Sequence, residues 1–188
     1  MAVITNEQYN ETKAELATID QKYVEIMQEV HSNIQTVNLF SYIQRVNPRL
    51  SNEETAEFVD LVFKYSDEFK VDPYMIFSKA RIESDFTPHA FGAAGERGFI
   101  QVMLPTYKIY MNQFGYDVKD FNDWRCTLKV GIAHYGYLVN KHNDWFLAEA
   151  EYNAGSRGNW VNRASNHVKK VRTANRAISK YKRVSIAN

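Results

Sequence analysis

Residues 83–103 read ESDFTPHAFGAAGERGFIQVM, and they join the end of a predicted helix to a glycine-rich loop and an apolar run. The helix begins upstream at Asp72 and Pro73, because aspartate caps a helix N-terminus and proline at the first helical position loses no hydrogen bond. From Pro73 the sequence runs for about three turns without a helix-breaking residue. The spacing therefore predicts that Glu83 lies in the last turn of a helix.

The predicted position of Glu83 is unfavourable for a carboxylate. The partial negative charge at a helix C-terminus disfavours a second negative charge, and any burial raises the carboxyl pKa further. A glutamate that stays partly protonated near neutral pH is what general acid catalysis requires. Glu83 is therefore a candidate catalytic acid, and the alternative is an ordinary surface glutamate at a frayed helix end.

Two motifs carry a resemblance to a known family. The first reads Glu83-Ser84-x-Phe86-x-Pro88-x-Ala90, then Gly95-x-x-Gly98-Phe99-Ile100-Gln101-Val102-Met103, and the second Ala150-Glu151-Tyr152-Asn153-Ala154-Gly155. In this order they resemble the catalytic domain of soluble lytic transglycosylases, whose fold is shared with goose-type lysozymes. The resemblance covers roughly residues 51–181, and it implies a mostly α-helical, lysozyme-like domain.

The resemblance assigns roles to individual residues. It implies that Glu83 is the sole catalytic acid and that Gly95 and Gly98 form a turn which lets the backbone approach the sugar. The residues expected to bind or border the saccharide are Ser84, Gly98, Gln101, Met103, Tyr152 and Asn153. The Tyr152 hydroxyl is expected to point at the catalytic carboxyl. Gln101 also interrupts an apolar run, and an amide in such a run indicates a cleft or a hydrogen-bond network.

The sequence departs from the family pattern near these motifs. The position nine residues after Glu83 is Gly92, where most members have a serine that bonds the N-acetyl group of the substrate. Leu104 stands between the methionine and the proline of the pattern, and Glu151 replaces an alanine. These departures indicate a divergent member of the family.

The resemblance implies cleavage of the β-1,4 bond between N-acetylmuramic acid and N-acetylglucosamine in peptidoglycan glycan strands. Glu83 would act first as acid and then as base, giving a 1,6-anhydro sugar without water, metal or organic cofactor. A hydrolytic lysozyme is the first alternative, because glycosidases that use water have a second carboxylate. Glu151 or Glu96 could be that second acid, although Glu96 can also pair with Arg97 or Arg81. An alternative of another class is a catalytically inactive protein that binds glycans or forms part of a virion.

Composition predicts one folded domain, over residues 48–188, and an extension. A chain of 188 residues that is 45% hydrophobic can bury one sizeable core, and scarce period-two alternation means that any sheet is small. The net charge of +1 gives no argument for nucleic-acid binding. Residues 157–188 hold nine Lys and Arg and no acidic residue. Their valines nevertheless recur at helical spacing, which favours a packed terminal helix.

Residues 1–47 are expected to form a helical extension. They contain no glycine and no proline, and Thr5 and Gln8 have the spacing of a capping box. Apolar residues recur in steps of three and four, with Asn33 interrupting one position, at Leu16, Ile19, Tyr23, Ile26, Val30, Val37 and Phe40. This stripe must be covered, either by folding back on the domain or by docking on a partner or another copy of the chain.

The beginning of the sequence has no signal-peptide pattern, and no segment has the length of a membrane span. The lone Cys126 cannot form an internal disulfide. These features predict synthesis in the cytoplasm, whereas peptidoglycan lies outside that compartment. A bacteriophage protein that is carried in the virion and acts in the periplasm or cell wall fits this mismatch. A component of a bacterial secretion machine is the next choice, and in either case the N-terminal helix would bind the partner.

Overall fold

The computed structural model describes residues 5–155 and 157–182, and it is built from seven α-helices within those ranges. In chain order the helices are α1 (Asn6–Val46), α2 (Asn52–Glu68), α3 (Pro73–Ser84), α4 (Leu104–Tyr110), α5 (Trp124–His142), α6 (Trp145–Ala154) and α7 (Trp160–Ile178). Two short 3₁₀ helices cover Val118–Asn122 and Ser179–Lys182.

Local sequence signals set the helix boundaries. Helix α1 begins with the predicted capping box of Thr5 and Gln8, and α2 begins with a second one between Ser51 and Glu54. Helix α3 begins where Asp72 accepts a hydrogen bond from the backbone of the second helical residue. All three helix starts follow from side chains that satisfy backbone N–H groups which have no partner inside the helix.

The helices pack around one hydrophobic core. Helix α5 supplies fully buried residues near the centre, among them Val130 and Ile132. Helix α7 packs against both α3 and α6. In the described part of the chain the β-structure is limited to two isolated bridges, Phe91 with Arg97 and Arg97 with Val102. The predicted mostly α, lysozyme-like fold class is therefore confirmed.

Helix α4 is shorter than the sequence suggests. A helix-like stretch is expected to reach about residue 114, but α4 ends at Tyr110. The backbone N–H of Tyr116 donates to the carbonyl of Met111 at 2.8 Å, which closes a turn instead of a further helical turn. Gly115 lies in this turn with a φ of +72°, a conformation that ends the helix and that glycine adopts without strain.

Helix α1 has two differently placed parts. Its last two turns join the core, where Leu39 and Ile43 are fully buried and the Gln44 amide donates to the Thr55 hydroxyl. Between residues 5 and 30 the side chains are exposed, apart from the partly covered Met27. The long first part therefore does not fold back on the domain, so that alternative is wrong for residues 5–30.

The C-terminal helix is packed, as predicted. In α7, Val168, Val171 and Ile178 are buried, whereas Lys169 and Lys170 are exposed. Arg183, the last of the nine basic residues, lies outside the described residues. A search of the helices in the described ranges finds no candidate for a membrane span.

Candidate active site

Glu83 lies in the last turn of α3, as the sequence predicts. The helix ends at Asp85 and Phe86, which both have positive φ angles (50° and 58°) and turn the chain towards the glycine-rich loop. Ser84 connects the helix end to that loop, since its hydroxyl lies 2.8 Å from the carbonyl oxygen of Phe99. The Ser84 hydroxyl therefore bonds the protein backbone and fixes the loop beside Glu83.

A cluster of buried charged groups lies beneath Glu83. Lys79, one turn earlier on α3, places its Nζ 2.9 Å from Oε1 of Glu149 on α6, and both side chains are 0% exposed. His167 on α7 places its Nε2 2.9 Å from the same Glu149 oxygen and 3.4 Å from Oε1 of Glu83. Three helices thus bring Glu83, His167, Glu149 and Lys79 into one connected chain of charged or hydrogen-bonding groups, which we call the buried charge cluster.

The surroundings of Glu83 favour its protonated form. The Glu83 side chain is only 16% exposed. Burial raises the pKa of Glu83 above its ordinary value, while the charges of Lys79 and His167 act in the opposite direction. The negative charges of Glu149 and Glu96 raise the pKa of Glu83 further. The net result is a raised pKa, which suits a group that must donate a proton near neutral pH.

Glu149 behaves differently although it is more deeply buried. Burial raises the pKa of Glu149, but Lys79 and His167 together outweigh it and hold the pKa below its ordinary value. Glu149 is therefore a charged, permanently paired group, whereas Glu83 is the carboxyl that can exchange a proton. Two carboxyls in one cluster whose pKa values move in opposite directions are typical of an acid and its supporting charge.

Tyr152 contributes its ring to the cluster. The Lys79 ammonium lies 3.6 Å from the centroid of the Tyr152 ring and 5.0 Å from that of Tyr135. The Tyr152 hydroxyl donates to the carbonyl oxygen of Ile100 at 3.0 Å. It was expected to point at the catalytic carboxyl; instead it secures the apolar run that follows the glycine-rich loop. Glu83 is still close enough for its charge to raise the pKa of Tyr152, after the larger effect of burial.

The glycine-rich loop is held by Gln101. This residue has a φ of +49°, and its side-chain amide donates to the carbonyl oxygens of Gly98 at 2.9 Å and Ala90 at 3.3 Å. Gly98 has a φ of +79°, and a Cβ atom there would lie 2.5 Å from the Thr127 hydroxyl oxygen. The polar residue inside the apolar run therefore does serve a hydrogen-bond network, and the turn at Gly98 has no room for a side chain.

Gly92, at the position where the resemblance predicts a serine, faces the Glu96 carboxyl. A Cβ atom at Gly92 would lie 2.1 Å from Oε2 of Glu96 and 2.7 Å from Oε1 of Gln101. The Glu96 carboxylate also accepts a hydrogen bond from the backbone N–H of Ala94 at 3.0 Å. The space that a side chain at position 92 would use is thus filled by a carboxylate.

The other acidic residues of the motifs are engaged elsewhere. Asp85 forms an ion pair with Arg81. Glu151 is bound by Lys141 at 2.8 Å and by His142 at 2.5 Å. Burial raises the pKa of Glu151, but these hydrogen bonds outweigh it and leave the pKa below its ordinary value. Glu151 is therefore a paired carboxylate.

Glu96 does not make the ion pairs expected for it within the described part of the chain. Arg81 is paired with Asp85, and the Arg97 guanidinium stacks at 3.6 Å over the Phe91 ring. Glu96 is only partly exposed and influences the pKa of Glu83, so it is the candidate second acid that lies nearest to the site.

Two further predicted residues lie on the surface. Met103 is 38% exposed and occupies the N-cap position of α4, and Asn153 near the end of α6 is also exposed. Both side chains are therefore open to solvent.

The spacing of the cluster also resembles a metal site. Ligand atoms of Glu83, Glu149 and His167 all lie within 4.8 Å of one another. The Lys79 ammonium, however, already occupies one Glu149 oxygen at 2.9 Å. A buried positive charge at this point opposes the binding of a metal cation, so the donor set fits an ion-pair network better.

The sequence analysis missed Lys79, Glu149 and His167. Two signals for them were present: Lys79 lies four residues before Glu83 on the same helix face, and Glu149 interrupts the apolar run Trp-Phe-Leu-Ala-Glu-Ala at 145–150. A charged residue within an apolar run indicates a buried charge that needs a partner. No comparable signal marks His167 in the basic and polar sequence of α7.

The chain has the same fold as known proteins. The 70 kDa soluble lytic transglycosylase SLT70 from Escherichia coli superposes with a TM-score of 0.57 at 19% identity, covering 65% of this chain and 24% of that one. An inactive mutant of the lytic transglycosylase Slt from Pseudomonas aeruginosa gives a TM-score of 0.56 at 19% identity, covering 64% and 24%. The chain therefore spans about a quarter of the length of these proteins, and at this identity the likeness shows the fold alone.

Sequence comparison identifies the family. No curated protein sequence matches the chain. The family model described as the transglycosylase SLT domain matches residues 60–175, which is more than half of the sequence and includes every member of the buried charge cluster. On the strength of this match and of the shared fold, the chain belongs to the transglycosylase SLT domain family of lytic transglycosylases.

Proposed function

We propose that the protein is a peptidoglycan lytic transglycosylase that cleaves the β-1,4 bond between N-acetylmuramic acid and N-acetylglucosamine and leaves a 1,6-anhydro end. The observation that carries this proposal is the contrast between Glu83 and the other acids around it. Glu83 has a raised pKa, whereas Asp85, Glu149 and Glu151 are held in ion pairs. One exchangeable carboxyl suffices for a reaction in which the same group is acid and base.

Glu83 would act in two steps. In the first, its protonated carboxyl donates a proton to the glycosidic oxygen while the bond from that oxygen to C1 breaks. The substrate N-acetyl group helps to stabilise the positive charge that develops at C1. In the second step, the C6 hydroxyl oxygen bonds to C1 and its proton passes to the Glu83 carboxylate. The acid is thereby regenerated, and no water is consumed.

The buried charge cluster supports both forms of Glu83 in this scheme. Burial favours the protonated acid before the first step, and the His167 ring, 3.4 Å away, stabilises the carboxylate that forms after it. Glu149 and Lys79 fix the His167 ring from below, since Glu149 lies 2.9 Å from both groups. We propose that His167, Glu149 and Lys79 are positioning residues, and that Ser84, Gln101 and Tyr152 hold the loop that borders the sugar.

Hydrolysis is the second candidate reaction, because one observation favours it. Glu96 is close enough to raise the pKa of Glu83 and is not engaged in an ion pair in the described part of the chain. A water held between Glu96 and the substrate would give a reducing sugar, as in glycosidases with two carboxylates. We favour the transglycosylase reaction since the protein belongs to that family.

We also propose that two parts of the chain have different functions. Residues 48–188 would form the catalytic domain, and residues 1–47 would hold it in a larger assembly, for which a bacteriophage particle is the first choice. The exposed first part of α1 supports this, because it leaves a long helix available to another protein. Detection of the protein in purified particles would support the proposal, and its presence only in host cytoplasm would contradict it.

The reaction can be tested by digesting purified peptidoglycan with the wild type, with Glu83→Gln and with the matched control Glu53→Gln. Glu53 is an exposed glutamate in the first turn of α2, so the same chemical change there should leave activity intact. The released muropeptides are identified by mass spectrometry. Anhydro products from the wild type and the control, but not from Glu83→Gln, are the expected result.

The other outcomes are equally informative. Products heavier by one water would overturn the transglycosylase reaction and identify a lysozyme, and loss of those products in Glu96→Gln would then identify its second acid. No product from any variant, with retained binding to isolated wall material, would indicate an inactive glycan-binding or structural protein.

A further inference from the structure

Helix α1 carries a regular apolar seam that is exposed as far as Val37, whereas Phe40 at its end is partly buried. Its members follow the 3-4 spacing of a heptad without interruption of the register: Tyr9, Thr12, Leu16, Ile19, Tyr23, Ile26, Val30, Asn33, Val37 and Phe40. Thr12 and Asn33 are the polar members. Of the apolar ones, Ile19 and Tyr23 are 62% and 64% exposed, and Val37 is 63% exposed. A seam with a period of 3.5 residues is the pattern of helices that pair as a left-handed coiled coil.

The remainder of the helix surface has a different composition. Positions away from the seam carry mainly polar residues such as Glu11, Thr18, Gln21, Glu25 and Gln28. From Tyr9 to Phe40 the helix is about 47 Å long at 1.5 Å per residue. An apolar stripe of this length in water is costly, and a soluble protein normally covers it.

We propose that the seam is covered by the same helix of a second copy of the chain, in antiparallel orientation. The residues that flank the seam decide the orientation, because charged groups at these positions meet across the helix pair. In a parallel pair, each residue that flanks the seam on one side meets the residue five positions later, which flanks the other side of the partner's seam. Glu15 would then lie opposite Asp20 of the partner subunit twice in each dimer, and like charges repel.

The antiparallel pair removes this repulsion. When Tyr23 faces Ile26 of the partner subunit, Tyr9 faces Phe40 of the partner subunit, so the whole seam overlaps. In the same register Lys22 meets Glu29 of the partner subunit, and this ion pair occurs twice in the dimer. Shifting the register by one heptad in either direction brings Lys22 opposite Lys22 or Glu29 opposite Glu29. The full overlap and the charge pattern therefore select the same arrangement.

The first experiment measures the mass of the full-length chain in solution by light scattering, over a range of concentrations. We expect a dimer for the wild type. Ile26→Asp places a charge in the centre of the seam and should give a monomer. Val24→Asp is the matched control, because Val24 is an exposed apolar residue of the same helix outside the seam and is 46% exposed. It should remain a dimer.

A wild type that stays monomeric at every concentration would overturn the proposal, and an equal loss of dimer in both variants would show that the seam is not the interface. Circular dichroism of each variant checks that α1 remains helical. Since neither residue lies near Glu83, activity should persist in both variants, so failure of this proposal is separate from failure of the proposed reaction.

A second experiment tests the orientation. Glu29→Lys should raise the dissociation constant of an antiparallel dimer by about tenfold, because two attractive pairs become repulsive. Adding Lys22→Glu to the same chain should restore the wild-type value, since both pairs are then re-formed with reversed charges. In a parallel dimer Lys22 and Glu29 face Met27 and Ile34 of the partner subunit. In a parallel dimer, adding Lys22→Glu would therefore not restore the wild-type dissociation constant. This result would overturn the antiparallel arrangement.

Discussion

The buried charge cluster and the first part of α1 depart from the usual distribution of residues in opposite ways. Under Glu83, Lys79 and Glu149 are charged side chains with 0% exposure. Along α1, Ile19 and Tyr23 are large apolar side chains that are 62% and 64% exposed. Charged residues are almost never fully buried unless they are paired, and long exposed apolar stripes are rare on monomers.

The difference lies in where each region finds its partners. The charges of the cluster are paired within one chain, because Glu149 on α6 meets Lys79 on α3 and His167 on α7. A buried ion pair is weak support for stability, so its presence below Glu83 is better explained by the reaction. The seam has no partner within the described part of the chain, and its explanation must lie in another molecule. Charged groups that are paired inside the chain thus indicate a role in the proposed reaction. Exposed apolar residues without a partner in the described part of the chain indicate assembly with another molecule.

The largest effect that we predict comes from breaking the Lys79–Glu149 pair. Glu149→Leu leaves the Lys79 ammonium buried without a partner, which should lower the free energy of unfolding by about 3–5 kcal/mol. The double variant Lys79→Met/Glu149→Leu should recover most of this loss, since neither charge remains. Denaturant unfolding at neutral pH measures both values, and muropeptide release should stay reduced in the double variant because His167 has lost its support.

An exposed pair provides the control. Lys70 and Asp67 lie 3.2 Å apart but are 80% and 88% exposed, so Asp67→Asn should leave the unfolding free energy unchanged within error. If Glu149→Leu lowered the free energy of unfolding as little as Asp67→Asn, the contrast between the buried charge cluster and an exposed ion pair would be contradicted. Full activity of the Lys79→Met/Glu149→Leu variant would instead show that the Lys79–Glu149 pair has no role in catalysis.

A smaller effect is expected from His167→Gln, and it concerns activity and its pH dependence. In the proposed reaction Glu83 must be protonated to act, so activity should fall as the pH rises through the pKa of Glu83. The groups that set this pKa besides burial are Lys79 and His167, which lower it, and Glu149 and Glu96, which raise it. Removing the His167 charge should therefore move the alkaline limb of the kcat/KM profile to higher pH.

The same variant should lower kcat by about 10- to 100-fold, because the carboxyl of Glu83 loses the group that orients it. KM should change little, since His167 lies below the carboxyl and is mostly buried. His89→Gln is the control, as His89 is an exposed histidine that is not a member of the cluster. A lower kcat with an unmoved alkaline limb would mean that His167 has only a structural role.

The sequence was sufficient for the parts of the fold that depend on near neighbours. Capping residues three positions apart fixed the starts of α1 and α2, and Asp72 fixed that of α3. Helix α4 was overestimated because the turn after Tyr110 depends on Gly115, whose positive φ is a backbone choice that helical periodicity does not register.

The candidate site was only partly accessible to the same reasoning. Glu83 could be recognised from its place at a helix end, and Gln101 from its polarity within an apolar run. The partners of Glu83 could not be recognised, because Glu149 and His167 come from helices that meet α3 only after folding. The direction of the Tyr152 hydroxyl was missed for a similar reason, since it depends on the carbonyl of Ile100, 52 residues away.

The smallest effect that we predict is that of Ile19→Ala in α1, and a buried residue of the same helix provides the comparison. Leu39→Ala removes a fully buried side chain and should cost about 2–5 kcal/mol, or at least 5 °C in Tm. Ile19→Ala removes an exposed one, so in dilute solution Tm should stay within about 1 °C of the wild type. Differential scanning fluorimetry at low and high protein concentration measures both.

The dependence of Tm on protein concentration then shows whether the exposed part of α1 forms a dimer. A dimer stabilises its folded subunits by mass action, so the Tm of the wild type should rise with protein concentration. In Ile19→Ala this rise should be weaker, whereas in Leu39→Ala it should persist from a lower starting Tm because the seam is intact. If the two variants showed the same concentration dependence as the wild type, the exposed part of α1 would contribute nothing to assembly. The proposal that a second copy of the chain covers the seam would then be contradicted.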